Sequence, residues 1–438
     1  MSRLNQPETD MTQNHALHQA CKRWRAGVVA VVVLSLSGCE VTNPGPVADE
    51  YLDLPEAHQA LVNGAGARLS EAIGWIGVVG AMSAREIFPT GETSSCCSAV
   101  MQAGLLLSSS GGEQWVTAQQ ARWIAEDAIR RFNALGTGKV AAPVVTDAYL
   151  WAGYASRLLG ENFCEAVFDG GPKQPAGKFF ERAQGHFTNA ITLGTGDKKI
   201  AAYAGRAQVR VWLKDWAGAV SDAQQVPLGF KYTVAADIAN GDTRNQIYYA
   251  NANTPYRGYT GWQTWFETYH QQTGDPRVTW LSDPRFPLGN ATLSGYGAVP
   301  WSSQRKYTAN NSPLPVASGR EMVLIRAEDL LVKGDWQGAM TLINSLRTSV
   351  NSRTTNLPLA PWTATNLTEA WTILKRERRI ELWLEARALG DLRRWSENQT
   401  PGVVDWPNYE AVSALFRTNQ PSKCFPIPDE EIETNSNF

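Results

Sequence analysis

Tyrosine and tryptophan crowd one stretch of the sequence. Between residues 228 and 317 stand Tyr248, Tyr249, Tyr256, Tyr259, Trp262, Trp265, Tyr269, Trp280, Tyr296, Trp301 and Tyr307. The ring face of such a residue packs against the apolar C–H face of a sugar, and its polar edge still offers a hydrogen bond. Tyr256, Tyr259, Trp262, Trp265, Tyr269, Trp280 and Trp301 are therefore the candidate ligand-binding residues, with Asn251, Asn253, Arg257, Gln263 and Asp275 nearby in sequence to address hydroxyls. The competing reading is that these rings form core, the commoner fate of an aromatic side chain. The stretch shows little helical periodicity and is rich in Gly, Pro and Asn, yet disordered segments are poor in aromatics. A long irregular connection of this kind is usually functional.

No other chemistry stands out. The chain has no Gly-x-Ser-x-Gly elbow, no His-Glu-x-x-His pair, no phosphate-binding Gly-x-x-x-x-Gly-Lys loop and no dinucleotide-binding Gly-x-Gly-x-x-Gly. A carboxylate pair needs only spatial proximity, so a helical glycosidase is the enzymatic alternative. No catalytic residue, metal site or cofactor is implied. There is no Cys-x-x-Cys, and His58, His186 and His270 lie far apart. The net charge of −2, with both signs interspersed, argues against nucleic acid.

One cysteine has a chemical role of its own. Lys22, Arg23 and Arg25 precede an apolar run from Ala26 to Leu36, and Leu36-Ser37-Gly38-Cys39 follows. That run is too short to span a bilayer but has the length of a secretory h-region. The pattern looks like a bacterial lipobox, so residues 1–38 are expected to be a lipoprotein signal peptide, with the start at Met1 or Met11, and Cys39 to carry lipid. Cys96, Cys97, Cys164 and Cys424 are then expected to form structural disulfides of open pairing, adjacent Cys96 and Cys97 not bridging to each other.

The elements that position the aromatic stretch are helical and repetitive. GRAQVRVWLKDWAGAV, residues 205–220, echoes IRAEDLLVKGDWQGAM, residues 325–340, at one offset of 120 residues (326 − 206 and 335 − 215). YASRLLGENFCEAV, residues 154–167, reads as a weaker third copy, and residues 178–194 as a further helix of the set. Each copy predicts two helices joined by a tight turn. In the clearest one Ser318 and Glu321 have capping-box spacing, Gly334 ends the first helix and Asp335 caps the second. Such pairs resemble tetratricopeptide (TPR) repeats. Residues 369–395 predict one long helix, with Asn366 and Glu369 at its start and arginines interleaved with Glu377, Glu381, Glu385 and Asp391. It reads as a salt-bridged packing helix, supported by an (i, i+4) pair between Arg387 and Asp391.

On these motifs the chain resembles the SusD/RagB family of outer-membrane nutrient-uptake lipoproteins. LKRERRIELWLEARALGDLRRW is similar to the family's hallmark helix, with Ala386 in place of its glycine, and FPIPDEEIETNSN, residues 425–437, to its tail. The resemblance implies an all-α unit from residue 39 to 438, with TPR-like helical pairs at about 147–227 and 318–347, the loop-rich portion at 228–317, and the hallmark helix and tail at 369–438. It implies a non-enzymatic protein, lipid-anchored and surface-exposed at the outer membrane, that captures oligosaccharide or peptide and delivers it to a TonB-dependent, SusC-like β-barrel transporter. A third class, a TPR adaptor binding only proteins, would use the aromatic stretch as its interface.

Overall fold

The computed structural model describes residues 49–91, 97–238, 241–293, 295–403 and 422–438. Cys39, Cys96 and the expected signal peptide, residues 1–38, lie outside the described residues. Residues 52–438 form one compact unit.

Its scaffold is a succession of packed helical pairs. Helices α1 (Pro55–Ser83) and α2 (Gly112–Leu135) pack together, as do α3 (Ala142–Asn162) with α4 (Gly177–Leu193), α5 (Gly196–Trp212) with α6 (Trp216–Ala223), and α8 (Gly319–Val332) with α9 (Trp336–Arg347). Close approach depends on small residues. A Cβ at Gly153 of α3 or Gly205 of α5 would stand 2.7 or 2.4 Å from the ring of Phe187 on α4, so one phenylalanine fills the space both glycines leave. The two best copies of the repeat are capped alike: Asp215 accepts from the Gly218 amide at 3.0 Å, and Asp335 from the Gly338 amide at 2.9 Å. Gly334 adopts the left-handed φ of 85° that ends α8.

Three expectations change. The third copy is not a tight pair: α3 runs on to Asn162, and residues 163–176 cross through the paired extended segments Glu165–Ala166 and Gln174–Pro175 before α4 begins. Asn162, which stands where the other copies have the capping aspartate, ends α3 instead, and Phe163 bridges to Phe425 of the tail. The Ser318 box is half formed: its hydroxyl accepts from the Glu321 amide at 3.1 Å, but the Glu321 carboxylate turns into the core. The long helix is two, α10 (Leu367–Glu381) and α11 (Ala388–Glu397), because Leu384 and Ala386 both stand at φ 59° between them.

The charges of this broken helix are buried and paired across the fold. Glu321 binds Arg378 at 3.0 Å and Arg387 at 2.9 Å and accepts from Gln208 at 2.6 Å. Burial would raise its pKa, but Arg387, Arg378 and Arg157 hold it below the ordinary carboxylate value. Arg387 pairs with Glu161 at 3.1 Å and with Glu321, not with Asp391 as the (i, i+4) spacing predicts. Arg394 grips Glu328 of α8 with two bonds of 2.7 and 3.0 Å, and Trp395 Nε1 donates to the same carboxylate at 3.0 Å. The charge pattern is therefore a packing device, as its interleaving predicts.

A disulfide, Cys164–Cys424, ties the end of α3 to the tail, and Cys97 is disulfide-bonded as well. The tail then straps the surface: Phe425 and Ile427 are buried, while Asn435 and Asn437 donate to the carbonyls of Gly171 and Gly170.

Candidate functional site

The loop-rich segment leaves the scaffold on β1 (Lys231–Val234) and returns on β2 (Leu314–Ser318), which pair antiparallel. Between them it is built from short pieces. A π-helical turn spans Tyr248–Ala252, Tyr259–Thr260 pairs with Phe88–Pro89, and Trp280–Leu281 pairs with Ser303–Gln304. Helix α7 (Trp265–Thr273) lies within it, unforeseen by periodicity. Its local signals were nevertheless present: Thr264 caps it by accepting from the Glu267 amide at 3.2 Å, and Gly274 ends it at φ 65°.

The seven aromatic candidates separate into two groups. Tyr259, Tyr269, Trp280 and Trp301 are buried and have no ring face open to a ligand. Each has a structural task. Trp301 Nε1 donates to the Asn251 carbonyl at 3.2 Å, the Tyr269 hydroxyl donates to Asp275 at 2.8 Å and receives Arg347 at 2.6 Å, and Trp280 meets Trp383 of the hallmark region at 5.1 Å. These four are removed from the surface by packing. Apart from Asp275, which is six residues from Tyr269, these partners lie 50 to 103 residues away, so no local pattern marks the four as core.

Tyr256, Trp262 and Trp265 are partly exposed. Trp265 stacks on Tyr269 at 4.8 Å and 11°. Trp262 meets Phe88 and Tyr296 edge to face at 5.6 and 5.3 Å, and Phe88 and Tyr296 meet likewise at 5.8 Å. This trio belongs to a small apolar cluster with Leu293 and Val299 that is separate from the main core. Gln263, beside it, is exposed with φ 64°. Tyr256 packs on Tyr249 at 4.3 Å, and the Arg244 guanidinium lies 3.3 Å from the Tyr249 ring centre. Tyr249 and Tyr296 are thus partly exposed partners that the candidate set omitted, readable only from which rings pack together.

The expected hydroxyl-binding groups also divide. Asn251 is buried, donating to the Tyr259 carbonyl at 2.7 Å and accepting from the Gln304 amide at 2.7 Å. Asp275 is buried against Arg277, and Arg257 donates to the carbonyls of Thr254 and Leu288. Gln263 and Asn253 keep accessible surface.

Two groups of partly exposed rings result, Trp262 with Tyr296 beside the Gln263 amide and Tyr249 with Tyr256 beside the Arg244 guanidinium, carried on a segment whose base is locked into helices. Among known proteins, residues 229–438 match the SusD family. The whole fold is shared with solved structures of that superfamily at low identity. A SusD-like carbohydrate binding protein from Bacteroides vulgatus ATCC 8482 superposes with TM-score 0.64 at 14% identity, over 88% of this chain and 97% of its own. A SusD superfamily protein from Bacteroides thetaiotaomicron VPI-5482 gives 0.65 at 13%, over 87% and 98%. A SusD/RagB family protein from the same organism gives 0.61 at 13%, over 87% and 94%. No curated protein matches the sequence. Residues 229–438 are thus a SusD-family segment, and the fold over the rest of the chain is the one shared with the superfamily's solved structures.

Proposed function

We propose that this protein captures oligosaccharide at the cell surface without cleaving it and passes it to a TonB-dependent outer-membrane transporter. The observation that carries the reading is a set of partly exposed rings, Tyr249 with Tyr256 and Trp262 with Tyr296, on a fold shared with a protein described as carbohydrate binding. Within it Trp262 and Tyr256 bear the ligand, with Trp265 at the margin. Attachment is through lipid on Cys39, which follows Leu36-Ser37-Gly38. No helix of the described residues is long and apolar enough to cross a membrane, in keeping with that form of anchorage.

The test is affinity electrophoresis of residues 40–438 against a panel of polysaccharides and peptide mixtures, each examined afterwards for cleavage products. Retardation by a glycan without products is the expected result. Products would overturn the reading in favour of a hydrolase, and retention of peptides alone would replace the glycan by a peptide ligand.

A further inference from the structure

A concave feature at the base of the loop-rich segment is defined by charge. A cavity of about 420 Å³ opens where β1, the loop at residues 305–306 and the first turn of α8 meet the end of α10. Five basic side chains line it against two acids, Glu381 and Glu385. Both acids are occupied. Arg277 and Arg320 hold Glu381 at 3.0 and 2.7 Å, and Lys306 holds Glu385 at 2.6 Å while also donating to the Trp383 carbonyl.

Two cations remain over. Lys231 and Arg305 are exposed, and neither makes an ion pair or side-chain hydrogen bond among the described residues; Lys231 acts on Glu385 only through space. This local excess stands in a chain whose net charge is −2, so it is not a share of a general positive surplus. The start of α8 adds the partial positive charge of a helix N-terminus. The remaining wall is apolar, with Phe230 and Pro315 contributing to it. Cations beside an apolar wall match a sugar ring that carries an anionic substituent.

We propose that this groove binds the carboxylate or sulfate group of an acidic oligosaccharide, with Lys231 and Arg305 as direct partners and the remaining Lys306 proton as a third donor. The inference rests on the capture role and names the class of glycan captured.

The test measures the affinity of residues 40–438 for polygalacturonate, chondroitin sulfate and a neutral glucan, for the natural sequence and for the double variant Lys231→Glu, Arg305→Glu. Both positions are exposed, so the variant keeps its melting temperature. The expected result is binding of at least one acidic polymer that weakens by about tenfold or more in the variant and fades with added salt. Binding of polygalacturonate would identify a carboxylate, and binding of chondroitin sulfate that is lost on chemical desulfation a sulfate. Binding of the neutral glucan alone, or equal affinity of the variant for an acidic polymer, would overturn this inference and leave the capture role standing. Binding of no glycan would overturn both.

Discussion

The tripeptide Asp-Pro-Arg occurs twice in the loop-rich segment, at 275–277 and 283–285, and the two copies form the same local structure. In each the aspartate accepts from the arginine amide at 3.0 Å and from its side chain at Nε (3.0 and 3.1 Å) and Nη2 (2.7 Å in both). They differ in what lies beyond. Arg277 extends its Nη1 to Glu377 at 2.6 Å and Glu381 at 3.0 Å on α10, whereas Arg285 is 79% exposed and stops at its own aspartate. A short motif dictates its turn, and only tertiary context decides whether the turn anchors anything. One copy fastens the segment to the helical scaffold, and the other leaves its stretch of loop at the surface.

Replacing Arg277 by Ala should break this contrast most severely. It removes a partner from the buried carboxylates Asp275 and Glu377 and from the partly buried Glu381, at a cost of about 3–5 kcal/mol. A large fall in melting temperature is expected. Arg285→Ala should leave the melt unchanged, and an equal fall in both variants would contradict the distinction.

Acid titration sharpens the same point. Burial would raise the pKa of Asp275, yet bonds and charge from Arg277, with Tyr269 assisting, hold it below the ordinary value; Arg320 and Arg277 do the same for Glu381. Their stabilisation is present above the unfolded-state carboxylate pKa and is lost as pH falls through the lower folded values. Part of the acid limb of a stability–pH profile should therefore vanish in Arg277→Ala and persist in Arg285→Ala. Glu86 has the opposite sign. Burial outweighs Arg379 and lifts it from 4.5 to about 8, so its contribution is complete below about 4.5 and is lost as pH rises towards 8. Glu86→Gln should flatten that decline in the same profile.

A smaller effect is expected at the break between α10 and α11. Ala386 occupies the family's glycine position at φ 59°, a conformation costing an alanine roughly 1 kcal/mol. Ala386→Gly should stabilise by about that amount, read in urea unfolding. A loss of stability would show that the alanine methyl, near the Ile247 and Gly77 contact, matters more than its backbone.

Much of the scaffold was legible because its determinants are local. Asp215, Asp335, Ser318 and Asn366 each cap a helix three residues ahead, within reach of sequence spacing. The alanine for glycine at 386 carried more information than its size implies, since the left-handed turn there splits an otherwise continuous pattern. The site was less legible. Tyr259 is buried through pairing with Pro89, and Arg277 finds Glu377 a hundred residues on, so ring content located the segment without sorting core from surface. Nothing within 256–301 distinguishes Trp301 from Trp262, yet the first is buried and the second partly open.

The most direct measurement is calorimetric titration of the glycan retained in the electrophoretic screen against the natural sequence and the double variant Trp262→Ala, Tyr296→Ala, with melting temperatures recorded alongside. The account predicts affinity weakened by about tenfold or more with a small change in melt. Undiminished affinity in a folded double variant would contradict the claim that these rings hold the ligand.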